Sequence, residues 1–237
     1  MFPSRLVSVL GGGTGLQNNY SLAFDGSNDY VNLGDNFIDG LSAFTVQIWF
    51  KCNSFTANRR LMGAEKSGLE QHFRLSGSNV INCLVDIGGT EESVTSTVDI
   101  SSGWHLATFT YDGSNLKIYN DSIFDTSTSA SGAVDTVDAD LYVGARNEGG
   151  SSPSQFFDGN IDEIAIWNTA LSAGDISALY QAKGTSDLND DGNSANLQGW
   201  WRMGDGDTFP TITDNSTNSN DGTMTNMASD DIVKDTP

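Results

Sequence analysis

The sequence predicts an antiparallel β-sandwich of the jelly-roll type with one short helix near residues 172–182. Three observations carry this prediction. Short segments alternate between apolar and polar residues, turns rich in Gly, Asn, Asp and Ser separate them, and helical periodicity appears once. Such spacing is typical of sandwiches, which form single domains of up to about 250 residues. The 237 residues therefore fit one large domain.

The clearest strand covers residues 44–52. Apolar side chains recur at every second position, and Trp49 lies among polar residues on the opposite face. The apolar set is Phe44, Val46, Ile48, Phe50 and Cys52. Because successive side chains of a strand point to opposite faces, we expect the apolar set to lie between two sheets.

A second strand lies within residues 157–168, which read FDGNIDEIAIWN. Bulky residues occupy both of its faces, so we expect both faces to be covered. The same alternation predicts that the adjacent carboxylates of Asp162 and Glu163 point to opposite faces. Glycoside hydrolysis needs two carboxylates that flank one bond, so this pair does not predict a hydrolase.

The predicted helix follows this strand. Ser172 and Asp175 form a capping-box-like start, and Gly184 is placed to end the helix. One face of the predicted helix carries three larger side chains, those of Ile176, Leu179 and Tyr180. We expect this face to pack against the sandwich.

Two turns have the same sequence. Asp-Gly-Ser-Asn occurs at residues 25–28 and again at residues 112–115. Each lies between two short strand-like segments, so we predict a β-hairpin at both places. The repetition indicates shared turn chemistry rather than a duplicated domain.

The net charge of −20 argues against nucleic acid and anionic membranes as partners. No window of the sequence is apolar for long enough to predict insertion into a membrane, and no secretory signal is visible. Cys52 and Cys83 both lie in apolar, strand-like segments. Two buried free thiols are the simpler reading, and a single disulfide stays open.

Four stretches together resemble a known family. They read LAFDGSNDYV (22–31), FTVQIWFK (44–51), WHLATFTYDG (104–113) continuing to LKIY (116–119), and residues 157–168 with the following NTALS. In this order they are similar to laminin G-like and pentraxin-like domains of the concanavalin A-like lectin/glucanase superfamily. The resemblance covers roughly residues 20–182 and implies a jelly-roll fold, but the fold alone does not define a ligand.

We expect a single laminin G-like domain at residues 20–237, preceded by a flexible arm at residues 1–19 with a glycine-rich hinge. Residues 197–237 resemble a segment that usually opens domains of this family. We therefore expect them to supply a closing, permuted strand. The alternative is that they begin a second, truncated copy.

The resemblance also implies calcium. Pentraxin-like domains bind calcium in the loop after the strand that matches residues 141–144, and Asn147 and Glu148 would be its ligands here. Arg146 departs from the family pattern. A second, weaker candidate is formed by Asp187, Asn189 and Asp191, whose spacing matches part of an EF-hand loop and also fits an ordinary polar linker.

Sugar binding needs an aromatic platform beside polar groups, because the C–H face of a sugar packs on a ring. Trp49 is the first candidate platform, and the polar partners expected on the same outer, concave face are His72, Arg74, Lys117 and Tyr119. The alternative is that a loop covers Trp49 and makes it part of the core.

The sequence thus predicts a non-enzymatic carbohydrate-recognition or adhesion module that is exposed outside the cell or on a virion surface or appendage. The expected partner is a glycan or surface polysaccharide. Two alternatives remain: a decoration or assembly domain that binds a protein through the N-terminal arm, and a carbohydrate-binding module of a hydrolase. No catalytic Ser/His/Asp set is evident, and oligomerisation stays open.

Overall fold

The computed structural model describes residues 15–55, 58–150 and 152–237, which form a sandwich of two antiparallel sheets. The strands are β1 (Ser21–Asp25), β2 (Tyr30–Asn32), β3 (Phe44–Cys52), β4 (Arg59–Lys66), β5 (Leu69–Leu75), β6 (Ile81–Ile87), β7 (Thr90–Thr95), β8 (Trp104–Tyr111), β9 (Asn115–Asn120), β10 (Ile123–Ser129), β11 (Tyr142–Val143), β12 (Asp158–Trp167), β13 (Leu197–Trp201), β14 (Thr211–Ile212), β15 (Gly222–Thr225) and β16 (Ile232–Val233). The predicted fold class is confirmed.

Each sheet has eight strands. The first sheet has the order β10-β9-β8-β3-β12-β1-β16, and β13 also pairs with β12. The second sheet has the order β14-β15-β2-β11-β4-β5-β6-β7. Strands β7 and β10 were not predicted from the sequence. Both of these lie at an edge of their sheet, where side chains are mostly exposed.

The main core lies between the two sheets, as the alternation in β3 predicts. The five apolar side chains of that strand all belong to this core. Phe73 and Phe109 reach it from the second and first sheet, respectively, and their rings lie 4.9 Å apart. Cys52 and Cys83 are both buried and free, which confirms the simpler reading of the cysteines.

Helix α1 (Ala173–Ala182) covers part of the outer face of the first sheet. Ser172 accepts a hydrogen bond from the Asp175 amide, and the Asp175 carboxylate accepts one from the Ser172 amide, so the predicted capping box is confirmed. Ile176 and Leu179 pack with Trp167 and other residues in a second, smaller core. The helix ends with Lys183 in the left-handed conformation, one residue before the predicted Gly184.

The two Asp-Gly-Ser-Asn turns make the same local bonds but different connections. Asp25 and Asp112 each accept hydrogen bonds from the amides two and three residues later. The second turn joins the paired strands β8 and β9, as predicted. The first turn leads from β1 in the first sheet to β2 in the second, so the hairpin predicted there is wrong.

A β-bulge interrupts the alternation of β12. Its register against β3 shifts between Asp162 and Ala165, and Glu163 has a φ of 44°. Both Ile161 and Ile164 consequently face the main core. The prediction that Asp162 and Glu163 point to opposite faces is wrong, because the extra residue of a bulge changes the direction of the side chains that follow it.

The two carboxylates meet in a buried polar cluster that joins β12 to three other chain segments. Asn18 donates to Asp162 (2.9 Å) and to the Lys183 carbonyl oxygen (3.2 Å). Arg202 donates to Glu163 (2.9 Å) and to the carbonyl oxygens of Gln17 and Gly184. Residues 17–18 of the expected arm are therefore bound to the sandwich, and residues 1–14 lie outside the described residues.

The C-terminal segment completes both sheets. β13 and β16 pair with β12 and β1 of the first sheet, and β15 pairs with β2 of the second. Residues 197–237 therefore pair within the sandwich, and the choice between a permuted closing strand and a truncated second copy stays a prediction. Among the described residues, the structure contains no helix that is long and apolar enough to cross a membrane.

Candidate functional site

Trp49 does not form the open platform that the sequence suggested. It lies on the outer face of the first sheet, where its side chain is 2% exposed. The ring of Tyr180 on α1 covers it, with the ring centroids 5.4 Å apart and the planes inclined by 14°. Trp49 therefore belongs to the core packing, as the alternative expected, although a helix and not a loop covers it.

The remaining sugar-binding candidates lie on different sheets. His72 and Arg74 belong to β5 in the second sheet, whereas Lys117 and Tyr119 belong to β9 in the first. The groove expected on one outer face is therefore not formed by these residues. Lys117 pairs with Asp112 at 2.5 Å, and Tyr119 is 8% exposed in the smaller core near α1.

His72 is part of a charged network on the second sheet. Its Nδ1 faces Glu70 and its Nε2 faces Asn82, both at 2.7 Å. Arg60, which is 1% exposed, also binds Glu70, and Arg74 donates to Asn82. Burial raises the pKa of Glu70, but His72, Arg60 and other partners lower it to about 2. These partners are largely buried and pair with each other, so most of their polar atoms are engaged within the protein.

The calcium candidates are engaged in other contacts. Asn147 donates to the Asp140 carbonyl oxygen at 2.7 Å and accepts from the Gly149 amide at 3.0 Å. Glu148 accepts from Ser154 and lies 3.6 Å from Arg146. An arginine beside a carboxylate competes with a cation for the same oxygen atoms.

The second calcium candidate is a series of local turns. Asp187 and Asp191 each accept from the amide two residues later, and Asn189 donates to the Asn215 carbonyl oxygen. Across residues 15–55, 58–150 and 152–237, no three His, Cys, Asp or Glu side chains are grouped so that they could hold a metal ion. Calcium binding stays a prediction.

One Ser–His–Asp set exists that sequence reasoning did not find. Ser101 Oγ lies 3.3 Å from His105 Nε2, and His105 Nδ1 lies 2.8 Å from Asp121 Oδ2. Ser101 is exposed, and Asp121 also accepts from the Leu106 amide. These contacts fix the turn between β9 and β10. The cleft beside that turn is lined by Asp121 and not by Ser101.

This cleft is the candidate functional site. It has a volume of about 360 Å³, and we call it the Phe124 cleft. Its lining residues are Val98, Asn120, Asp121, Ile123, Phe124 and Asp125. Val98, Ile123 and Phe124 are 50%, 70% and 51% exposed, so three of the four large apolar residues that are exposed in the described part of the chain line this cleft.

The local fold explains why these apolar groups face solvent. Asp121 and Ser122 both have positive φ values and form the tight turn that joins β9 to β10. β10 is an edge strand of the first sheet. Phe124 packs edge-on against Tyr119, with ring centroids 5.6 Å apart, which holds its ring at the surface. The ring is thus positioned before any ligand arrives.

Polar groups surround the ring. Asp125 accepts hydrogen bonds from the Thr97 amide and hydroxyl and from Asn120. Burial raises the pKa of Asp125, but the hydrogen bonds from Thr97 and Ser96 lower it below its usual value. The carboxylate is therefore ionised at neutral pH and is unsuited to act as a general acid.

Sequence reasoning missed this cleft. The pair Ile123-Phe124 begins a strand that is otherwise Asp, Thr and Ser. Adjacent residues of a strand point to opposite faces, so two bulky apolar residues in an edge strand cannot both face the same core. The sequence therefore indicated that Ile123 or Phe124 is exposed. It could not indicate that Val98 lies near them, because that proximity depends on tertiary structure.

Comparisons with known proteins agree with the fold. A laminin G-type family model, described as the concanavalin A-like lectin/glucanases superfamily, matches residues 25–177. No curated protein sequence matches the chain significantly. A Bacteroides ovatus protein described as carbohydrate-binding superposes with a TM-score of 0.66 at 19% identity over 90% of this chain, which spans 60% of the length of that protein.

Two further solved structures have the same sandwich. The CBM40 module of the Ruminococcus gnavus IT-sialidase, bound to α2,3-sialyllactose, has a TM-score of 0.59 at 13% identity and covers 70% of this chain and 99% of its own. The SAP-like pentraxin of Limulus polyphemus has a TM-score of 0.54 at 12% identity and covers 69% of this chain and 82% of its own. Such low identities establish the fold alone. From the family match and the two-sheet sandwich together, the chain belongs to the concanavalin A-like lectin/glucanase superfamily, as a domain of the laminin G type.

Proposed function

We propose that the chain is a non-enzymatic carbohydrate-recognition module that binds its glycan in the Phe124 cleft. One observation carries the proposal: an aromatic ring, half exposed and fixed in place, lies in an open cavity beside Asn120, Asp121 and Asp125. The C–H face of a sugar packs on such a ring while its hydroxyl groups bond to the polar side chains.

The comparisons support the general class. A Bacteroides ovatus protein described as carbohydrate-binding and a sialidase module bound to sialyllactose both have this fold. Neither identifies the glycan of this chain, because one fold hosts many ligands. A role in adhesion, outside the cell or on a virion surface or appendage, is part of the proposal, since surface polysaccharides are accessible there.

Calcium dependence is a further part of the proposal. The loop that contains Asn147 and Glu148 borders an open cavity of about 250 Å³ that is also lined by Asp138 and Asp140. Oxygen atoms of these types are the ligands that calcium prefers. Lys66 binds the Asp138 carboxylate at 2.7 Å, so a calcium ion would have to displace its ammonium group.

A glycan array tests the proposal. Wild-type protein is compared with Phe124→Ala and with Phe209→Ala, a matched control that removes another exposed phenylalanine, which is 42% exposed. Each protein is applied once with millimolar calcium and once with chelator. We expect binding that Phe124→Ala abolishes and Phe209→Ala retains. Binding that survives Phe124→Ala would place the site elsewhere, and loss with chelator would support calcium.

A protein partner is the second candidate function. Ile123, the most exposed of the large apolar residues described, lies on the edge strand β10, where the backbone can pair with another chain. An array without any bound glycan, together with an Ile123-dependent complex with another protein, would favour this function over the first.

A further inference from the structure

The Phe124 cleft is lined by three apolar side chains, those of Val98, Ile123 and Phe124, which we call its apolar wall. This wall is larger than the surface that one sugar ring needs for stacking. Val98 and Ile123 line the same cleft as Phe124, and all three are at least half exposed. Ile123 pairs with Asn120 and Phe124 pairs with Tyr119, so the two side chains lie on opposite sides of the edge strand and a ligand contacts both across that edge. A sugar ring that carries only hydroxyl groups can cover the aromatic face but has no apolar substituent for the two aliphatic side chains. The wall therefore favours a ligand with a methyl group beside the sugar ring.

The polar side chains of the cleft offer acceptors and no free donor. Asn120 carries the only side-chain N–H groups among the six lining residues, and it donates both, to Ser96 Oγ at 3.0 Å and to Asp125 at 3.1 Å. The Oδ1 atom of Asn120 is buried and accepts no hydrogen bond from the described residues, and the residue as a whole is 8% exposed. A buried acceptor without a donor is costly, so the ligand is expected to supply an N–H or O–H group.

The negative charge of the cleft limits the class of ligand further. Hydrogen bonds keep the pKa of Asp125 below its usual value despite burial, so its carboxylate is negative at neutral pH. The whole chain carries a net charge of −20. A sugar with its own carboxylate would be repelled at this site.

From the apolar wall, the acceptor-only polar groups and the negative charge, we propose that the cleft binds a neutral N-acetylated amino sugar. The acetamido methyl group packs against Val98 and Ile123, its N–H donates to Asn120 Oδ1 or a neighbouring carboxylate oxygen, and the pyranose face lies on Phe124. This inference rests on the proposed function, since it names the sugar class for the same site.

Three tetrasaccharides of the same β1,4 linkage test the inference by calorimetric titration: the oligomers of N-acetylglucosamine, of glucose and of glucosamine. We expect the N-acetylglucosamine oligomer to bind at least about tenfold more tightly than the other two, which corresponds to about 1.4 kcal/mol. Phe124→Ala should abolish this binding, and the matched Phe209→Ala should retain it. Asn120→Ser, which removes the amide acceptor, should reduce the preference for the acetylated oligomer.

The outcomes separate this inference from the proposed function. Equal affinity for the glucose oligomer would overturn the acetamido assignment while the cleft remains a sugar site. Tighter binding of the cationic glucosamine oligomer would show that negative charge decides selectivity, which also overturns it. If all three oligomers fail to bind and the array reveals a Phe124-dependent glycan without an acetamido group, the inference is wrong and the proposed function stands. An array without any Phe124-dependent glycan would reject the proposed function itself.

Discussion

Trp49 and Tyr180 stack with nearly parallel rings, 5.4 Å apart, between the first sheet and helix α1. This contact turns the most obvious aromatic candidate for sugar binding into a structural residue. We expect Tyr180→Ala to lower the free energy of unfolding by about 1–2 kcal/mol, because a half-buried ring and its stacking contact are lost. Urea denaturation measures this effect, and Tyr180→Phe serves as the control that retains the ring.

The same variant tests the placement of the site. Glycan binding by Tyr180→Ala should equal that of the wild type, since α1 does not line the Phe124 cleft. A changed glycan specificity in Tyr180→Ala would indicate that the face around Trp49 takes part in recognition.

The buried cluster at the β12 bulge predicts a dependence of stability on pH. Burial raises the pKa of Glu163 to about 7, although Arg202 opposes the shift. Burial and the charge of Glu163 raise the pKa of Asp162 well above its usual value. The unfolded chain releases these protons near pH 4–4.5, so the folded chain binds more protons between about pH 4.5 and 7. Stability therefore falls as pH rises through this interval.

Urea denaturation at pH 5 and pH 8 measures this fall, and Glu163→Gln should reduce it by on the order of 2–3 kcal/mol. Glu91→Gln, which changes an exposed carboxylate, is the control and should leave the fall unchanged. Burial raises the pKa of Asp29 to about 6. Asp29 therefore also makes stability fall as pH rises, and it does so equally in every variant. An identical fall in wild type and Glu163→Gln would contradict the role assigned to the cluster.

The sequence predicted the parts of this structure that depend on local pattern. Alternation placed the side chains of β3, and the capping residues located α1, because both effects act within a few residues. The turns at residues 25–28 and 112–115 show the limit: their local hydrogen bonds are the same, but one joins paired strands and the other crosses between sheets. Which strand pairs with which depends on the whole core.

The candidate site was less predictable for the same reason. His72 and Lys117 were expected on one outer face, yet their strands belong to different sheets. The bulge at Asp162 and Glu163 has no signature in the sequence and reverses the direction of a predicted side chain. The Phe124 cleft joins residues from two separate segments, 98 and 120–125, that only the fold brings together.

The C-terminal segment is predicted to be essential for folding. Removing residues 197–237 deletes β13, β14, β15 and β16, and this leaves β12, β1 and β2 without their partners β13, β16 and β15. We expect the shortened chain to lose its cooperative unfolding transition, as followed by circular dichroism. Removal of residues 236–237 alone should leave the transition in place. A cooperative transition in the long truncation would support the truncated-copy alternative.

The set of Ser101, His105 and Asp121 is predicted to be structural. Its serine lies outside the Phe124 cleft, and Asp121 is bound to the backbone of β8. We therefore expect the wild-type protein and Ser101→Ala to hydrolyse p-nitrophenyl acetate at the same rate. We also expect that a fluorophosphonate probe does not label the wild-type protein. Labelling by the probe that disappears in Ser101→Ala would instead identify an esterase and contradict the non-enzymatic assignment.

Mapping of a bound glycan by NMR tests the central claim most directly. Amide signals of ¹⁵N-labelled protein are followed during titration with the tightest glycan from the array. The account predicts that the largest shift changes occur at residues 96–98 and 119–125, around the Phe124 cleft, and vanish in Phe124→Ala. Shift changes centred instead on the charged network of Arg60, His72 and Arg74, or on the loop at Asn147 and Glu148, would contradict it.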